Sequence, residues 1–234
     1  MLLFENSNFA LYSDFSYNPN FILRFTNYFE KKKDRILNFY GIESFRKINI
    51  HLYISREEYI SFLKDKGLEY SAYSKGRCLD SEIHFTCEKE ILDEFPKVGY
   101  SIASIMHEFV HLVYYEKVNK NRVILVDEGL AHYLSGQKSF LEENELKYNS
   151  WFKEKIISKE IPKFEYLLNH GGTYGKFVDT ETLKYNGYDI GYAFVRYIID
   201  TCNEDEKKKV LIYQDIVEVE KYYNKFKEYV ESKK

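Results

Sequence analysis

The stretch SIASIMHEFVHLVYY, residues 101–115, decides how the chain is read. Nearly every position is apolar or small, and formal charge enters only at Glu108. A run of this kind predicts a helix, over about residues 98–117, that is buried on most sides. Two imidazoles and a carboxylate on such a helix are costly unless they are hydrogen-bonded or hold a cation. His107 and His111 are four positions apart and therefore share one face, so both rings can reach a single ion. Neutral imidazole suits Zn²⁺. Glu108 stands one position further round, close enough to reach water beside that ion without joining the ligand set. The pattern His107-Glu108-Phe109-Val110-His111 is the HExxH arrangement of metal-dependent hydrolases. The bland alternative is a pair of hydrogen-bonded core histidines.

HExxH supplies two ligands, and a catalytic zinc needs a third as well as an open position. Downstream, residues 126–133 read VDEGLAHY. Glu128 is the expected third ligand, carried on a second helix over residues 124–135. His132 is the competing ligand and Asp127 the weaker one. Taken alone, Asp127 and Glu128 would be ordinary acids in the first turn of a helix.

Outward from this centre the period changes. Towards the N-terminus, Ile48 to Ile54 alternates apolar and polar residues, as a half-buried strand does. Phe9 to Ser13 reads as a short strand. Arg77 to Cys87 reads as one strand with Leu79, Ile83, Phe85 and Cys87 on one face and a wet side of Asp80, Glu82, His84 and Thr86. Tyr70 to Tyr73 forms a further short stretch before a turn at Lys75-Gly76. Asn20 to Tyr40 has helical spacing and stops before Gly41, a C-cap residue. Ser55 and Glu58 form a capping box that opens a helix to about Lys64. Towards the C-terminus only helices are expected, near 142–157, 188–201 and 217–232. Strands followed by helices imply an α+β fold: a small mixed-sheet lobe over about 1–97, the helix 98–117, and a helical lobe over about 118–234.

Bulk composition narrows the partners. The chain has 234 residues, a net charge of -3 and 30% charged residues. Its basic runs, Lys31-Lys32-Lys33 and Lys207-Lys208-Lys209, lie among acids, so no nucleic-acid footprint is expected. Cys78, Cys87 and Cys202 are too few and too irregular for a disulfide framework or a thiolate zinc site, and reduced thiols in a cytoplasm are expected. The N-terminus MLLFENSNF lacks a basic start and is interrupted by Glu5, so no secretory signal is expected. The apolar run Val98–Met106 is too short to cross a bilayer. With 23 Tyr and 18 Phe, a lone tyrosine carries little information.

HEFVH followed by DEGLAHY resembles the gluzincin branch of the zincin metallopeptidases, in the style of the aminopeptidase N group and its smaller peptidase MA relatives. The resemblance runs from about Arg77 to Tyr197. It implies a single zincin-like catalytic domain with the metal-bearing helix between a sheet lobe and a helical lobe. It implies one Zn²⁺ on His107, His111 and Glu128, with Glu108 as general base and a peptide or protein as substrate. A further family pattern, Y-x-x-G-x-A, matches Tyr188, Gly191 and Ala193. The resemblance implies that Tyr188 steadies the oxyanion, with Tyr192 and Tyr185 as fallbacks. It also implies a sheet edge, sought here in Arg77–Cys87, that receives an extended peptide. The sequence departs from the group in three ways. Residues 112–127 form a shorter connection than usual, Asp127 replaces the usual Asn, and the GxMEN segment that grips a free amino terminus is missing. Aminopeptidase specificity is therefore not carried over. The rival expectation is a zincin-like binding module without catalysis.

Overall fold

The computed structural model describes residues 1–15, 19–68, 75–87, 97–118, 122–168, 177 and 184–234. Two units divide the chain, Met1–Tyr114 and Tyr115–Lys234. The expected stretch Tyr70–Tyr73 lies outside the described residues.

In the first unit, β1 (Leu2–Glu5), β2 (Phe9–Ser13), β3 (Ile48–Tyr53), β4 (Gly76–Leu79) and β5 (Glu82–Thr86) form one sheet in the order β1-β2-β3-β5-β4. The two outer pairings are antiparallel, and β2–β3 and β3–β5 are parallel. The alternation of β3 appears directly in its burial: Ile48, Ile50 and Leu52 are within the core, while Asn49, His51 and Tyr53 are partly exposed on the other face.

Arg77–Cys87 departs from the single strand expected of it. Asp80 and Ser81 both adopt positive φ, 50° and 66°, and fold the segment into a β4–β5 hairpin. Asp and Ser tolerate this conformation less readily than the Asn-Gly or Asp-Gly pairs that announce such turns, which explains the missing signal. The polar side is wet only towards the turn, where Asp80 is exposed and Glu82 part-exposed, because His84 and Thr86 are each only 5% exposed. The sheet edge is β4, while β5 is an inner strand.

Helix α1 (Pro19–Tyr40) ends on Gly41, whose φ of +68° marks a left-handed cap. Its Phe25 and Phe29 meet Phe9 of β2 at ring distances of 5.2 and 4.7 Å. Helix α2 (Arg56–Asp65) opens on Ser55, whose hydroxyl accepts from the Glu58 N–H, but the Glu58 carboxylate accepts from the Ile54 N–H, one residue before the cap, so only half of the expected capping box forms. Helix α3 (Lys97–Val113) continues into wider π-type turns over Tyr114–Val118.

The regular elements described in the second unit are helical, joined by turns and loops. Helix α4 (Ile124–Ser135) has the expected bounds and ends on Gly136 at φ 81°. The helix expected over 142–157 is interrupted. A short turn, Ser139–Glu142, comes first, and α5 (Glu145–Phe152) starts anew because Asn144 accepts from the Lys147 N–H, before π-type turns run to Ile157. Helices α6 (Gly187–Thr201) and α7 (Ile216–Glu231) follow the expected spans closely. Phe194, Tyr223 and Phe226 interlock between them, and the Tyr223 hydroxyl donates to the Pro162 carbonyl across 2.9 Å. The fold is mixed α+β, with a small mixed sheet at the N-terminus and helices after it. Among the described residues, no helix is long and apolar enough to cross a membrane.

Candidate metal centre

Phe109, the middle residue of HEFVH, orients the motif. It is 1% exposed and its ring meets Phe29 at 5.2 Å and Phe45 at 5.5 Å. Residues two positions away on a helix lie on the far side, about 200° round at 3.6 residues per turn. Anchoring Phe109 in the aromatic core therefore turns His107 and His111 to the opposite face together. Their Nε2 atoms lie 3.0 Å apart, with the rings nearly perpendicular. His107 is 9% exposed and His111 is half-buried. At that separation one ring donates to the other, or both turn lone pairs towards a shared cation.

Glu108 is half-buried on the adjacent face of α3. Cys78, on edge strand β4, donates its thiol to the Glu108 carbonyl across 3.0 Å and lies 4.0 Å from the carboxylate Oε2. The edge strand is thus tied to the helix turn that carries the motif. No local signal announces this neighbour: Cys78 precedes a turn that lacks the usual turn residues, and a thiol contact to a backbone carbonyl has no spacing rule. The three cysteines are unbridged.

Glu128 belongs to the second unit, on α4. It is half-buried, and its neighbours in sequence separate by role. Asp127 is 1% exposed and ion-paired to Arg122 Nη1 at 2.8 Å, so its carboxylate serves a local cation. His132 is one turn beyond Glu128 on the same face. The His132 ring meets the Tyr188 ring edge-on at 5.8 Å, and Phe177 holds the other side of Tyr188 at 5.0 Å. Within this unit, then, Glu128, His132 and Tyr188 share a neighbourhood.

Tyr188 begins α6, where Asn186 accepts from its N–H at 2.9 Å. Of the fallbacks, Tyr192 is fully buried against Tyr133 and Trp151, and burial pushes its phenol well above the usual range. That is the setting of a packing residue. Tyr185 precedes α6 and is half-buried.

The two glycines of the downstream motifs have a common cause. A methyl group on Gly129 would stand 2.3 Å from the Gly191 carbonyl oxygen, and one on Gly191 would stand 2.6 Å from the Leu125 carbonyl oxygen. Helices α4 and α6 cross at this point with no room for a side chain, which sets the position of the turn bearing Glu128 relative to that bearing Tyr188. Neither any family model nor any curated protein was found to match this chain.

Proposed function

We propose that this protein is a zinc-dependent peptidase with a zincin-like catalytic domain, its ion held by His107, His111 and Glu128. The observation that carries the reading is the pair of imidazole Nε2 atoms 3.0 Å apart on a helix where Ile105, Met106, Phe109 and Val110 beside them are buried and apolar. The donor chemistry fits zinc, since two neutral imidazoles and one carboxylate make the set used by hydrolytic zinc enzymes that keep a position open. When bound, zinc supplies Lewis acidity, bringing the ionisation of water near neutral pH and polarising a carbonyl.

The residues of the chain then have distinct tasks. Glu108 takes a proton from the attacking water and returns it to the leaving amine. The Tyr188 phenol donates to the oxygen on which negative charge develops. Strand β4, the end of the sheet order β1-β2-β3-β5-β4 and tied to α3 through Cys78, orients an extended peptide by strand addition. Without the segment that grips a free amino terminus, internal or blocked peptides are the expected substrates.

The test is metal content followed by cleavage. Freshly purified protein should contain zinc, cut peptides from a blocked library, stop when chelated and recover when zinc is restored. Protein that is folded and zinc-loaded yet cuts nothing in a broad library would instead be a zincin-like binding module.

A further inference from the structure

The polar face of the sheet carries a second set of metal donors. Tyr12 is directly opposite His51 in the β2–β3 register, and His51 is directly opposite His84 in the β3–β5 register. Their rings stack in a column that Phe62 of α2 completes: 5.1 Å from Tyr12 to His51, 4.7 Å from His51 to His84, and 4.4 Å from His84 to Phe62. Glu82 lies beside the two imidazoles. Its Oε2 is 3.0 Å from His51 Nε2 and 3.8 Å from His84 Nε2.

We propose that His51, Glu82 and His84 form a second divalent-metal site, for zinc or a cation of similar ligand preference, which clamps β3 to β5. One ligand atom from each residue lies within 4.8 Å of the others. Zinc bonds of roughly 2.0–2.1 Å place tetrahedral donors about 3.3 Å apart, and the distances of 3.0 and 3.8 Å bracket that value. His84 and Glu82 also have outer partners of the kind that orient metal ligands. Tyr53 Oη is 3.0 Å from His84 Nδ1, which directs the His84 Nε2 lone pair towards Glu82. Asn49 Nδ2 donates to Glu82 Oε1 across 2.6 Å and leaves Oε2 for the ion.

The imidazole planes are within 8° of parallel, so one ring must turn for both lone pairs to meet at one point. His51 is the ring that turns. Its side chain is 31% exposed, against 7% for His84, and the imidazole torsion is broad. The exposed sides of His51 and Glu82 give an ion its way in. The cluster lies wholly within the first unit and stands independently of the peptidase reading.

The experiment uses the full chain, stripped of metal and titrated with zinc by calorimetry, with cobalt absorption as a second readout. The His107→Ala/His111→Ala variant should still bind one equivalent and show a cobalt spectrum of low symmetry. Zinc at a hundredfold excess over Kd should raise its Tm by roughly 5–10 °C. Adding His51→Ala or Glu82→Gln should weaken that binding at least tenfold. Should the double variant fail to fold, the wild type should bind one equivalent more than His51→Ala, whatever the total. No zinc bound to folded His107→Ala/His111→Ala overturns the site, as does equal stoichiometry in wild type and His51→Ala. The last result leaves a plain aromatic stack. Because the readout is stoichiometry, absence of peptidase activity does not affect it.

Discussion

Gly129 and Gly191 meet backbone to backbone, with 2.3 Å separating the place of a Gly129 side chain from the Gly191 carbonyl oxygen. The obstacle is backbone, which cannot rotate away. Gly129→Ala should therefore destabilise the second unit by about 1–3 kcal/mol, the usual cost of overpacking. Chemical denaturation measures it. A midpoint equal to that of the wild type would show that α4 and α6 can move apart freely.

Glu108→Gln retains the shape of the side chain and removes its basicity. Zinc content should stay at the parent level while hydrolysis falls by roughly 10²–10⁴-fold. Steady-state cleavage and elemental analysis of the same preparation check both halves. Parent-like turnover would remove Glu108 from the role of base.

Glu128 and His132 share a helix face, and substitution separates them. Glu128→Ala should lose most of the zinc bound with His107 and His111. His132→Ala should retain it. X-ray absorption at the zinc edge gives the count of imidazole ligands; a third imidazole in that site would make His132 the ligand and reassign Glu128.

Tyr188→Phe removes one hydroxyl near His132, and Tyr192→Phe removes one from a packed interior. The first should lower kcat by about 10²–10³-fold with KM little changed, as loss of an oxyanion donor does. The second should leave kcat near the parent value and act on stability alone. The reverse ranking would place the oxyanion donor at Tyr192.

Tyr223 is fully buried, and burial pushes its phenol far above the usual value of 10.0, with Tyr185 adding to the effect. A pKa raised in the folded state gives stability that is complete below the unfolded value and is lost as pH rises above it. The loss begins near pH 10 and amounts to about 1.4 kcal/mol per further pH unit from this group. Urea midpoints at pH 8, 10 and 11, compared with those of Tyr223→Phe, isolate the contribution. A variant with the same alkaline slope as the parent would exclude Tyr223 as its source.

Elements whose period or cap is local can be read from the residues alone. Helix α4 was legible from its spacing, β3 from its alternation, α2 from Ser55 and Glu58, and the end of α1 from Gly41. The shared face of His107 and His111 is legible in the same way, because positions four apart on a helix lie on one side whatever surrounds them. Other features rest on contacts that no local period announces and that form only in the folded chain. The turn at Asp80-Ser81 follows from β4 pairing with β5, not from a strong turn signal. His51 and His84 look like unrelated polar positions until the parallel register of β3 and β5 stacks them. Asp127 is set apart from Glu128 by its ion pair with Arg122. Gly129 and Gly191, 62 positions apart, have their common reason only where α4 crosses α6. Local periodicity is written in neighbouring residues, whereas register, crossing and pairing are settled by which surfaces exclude water together.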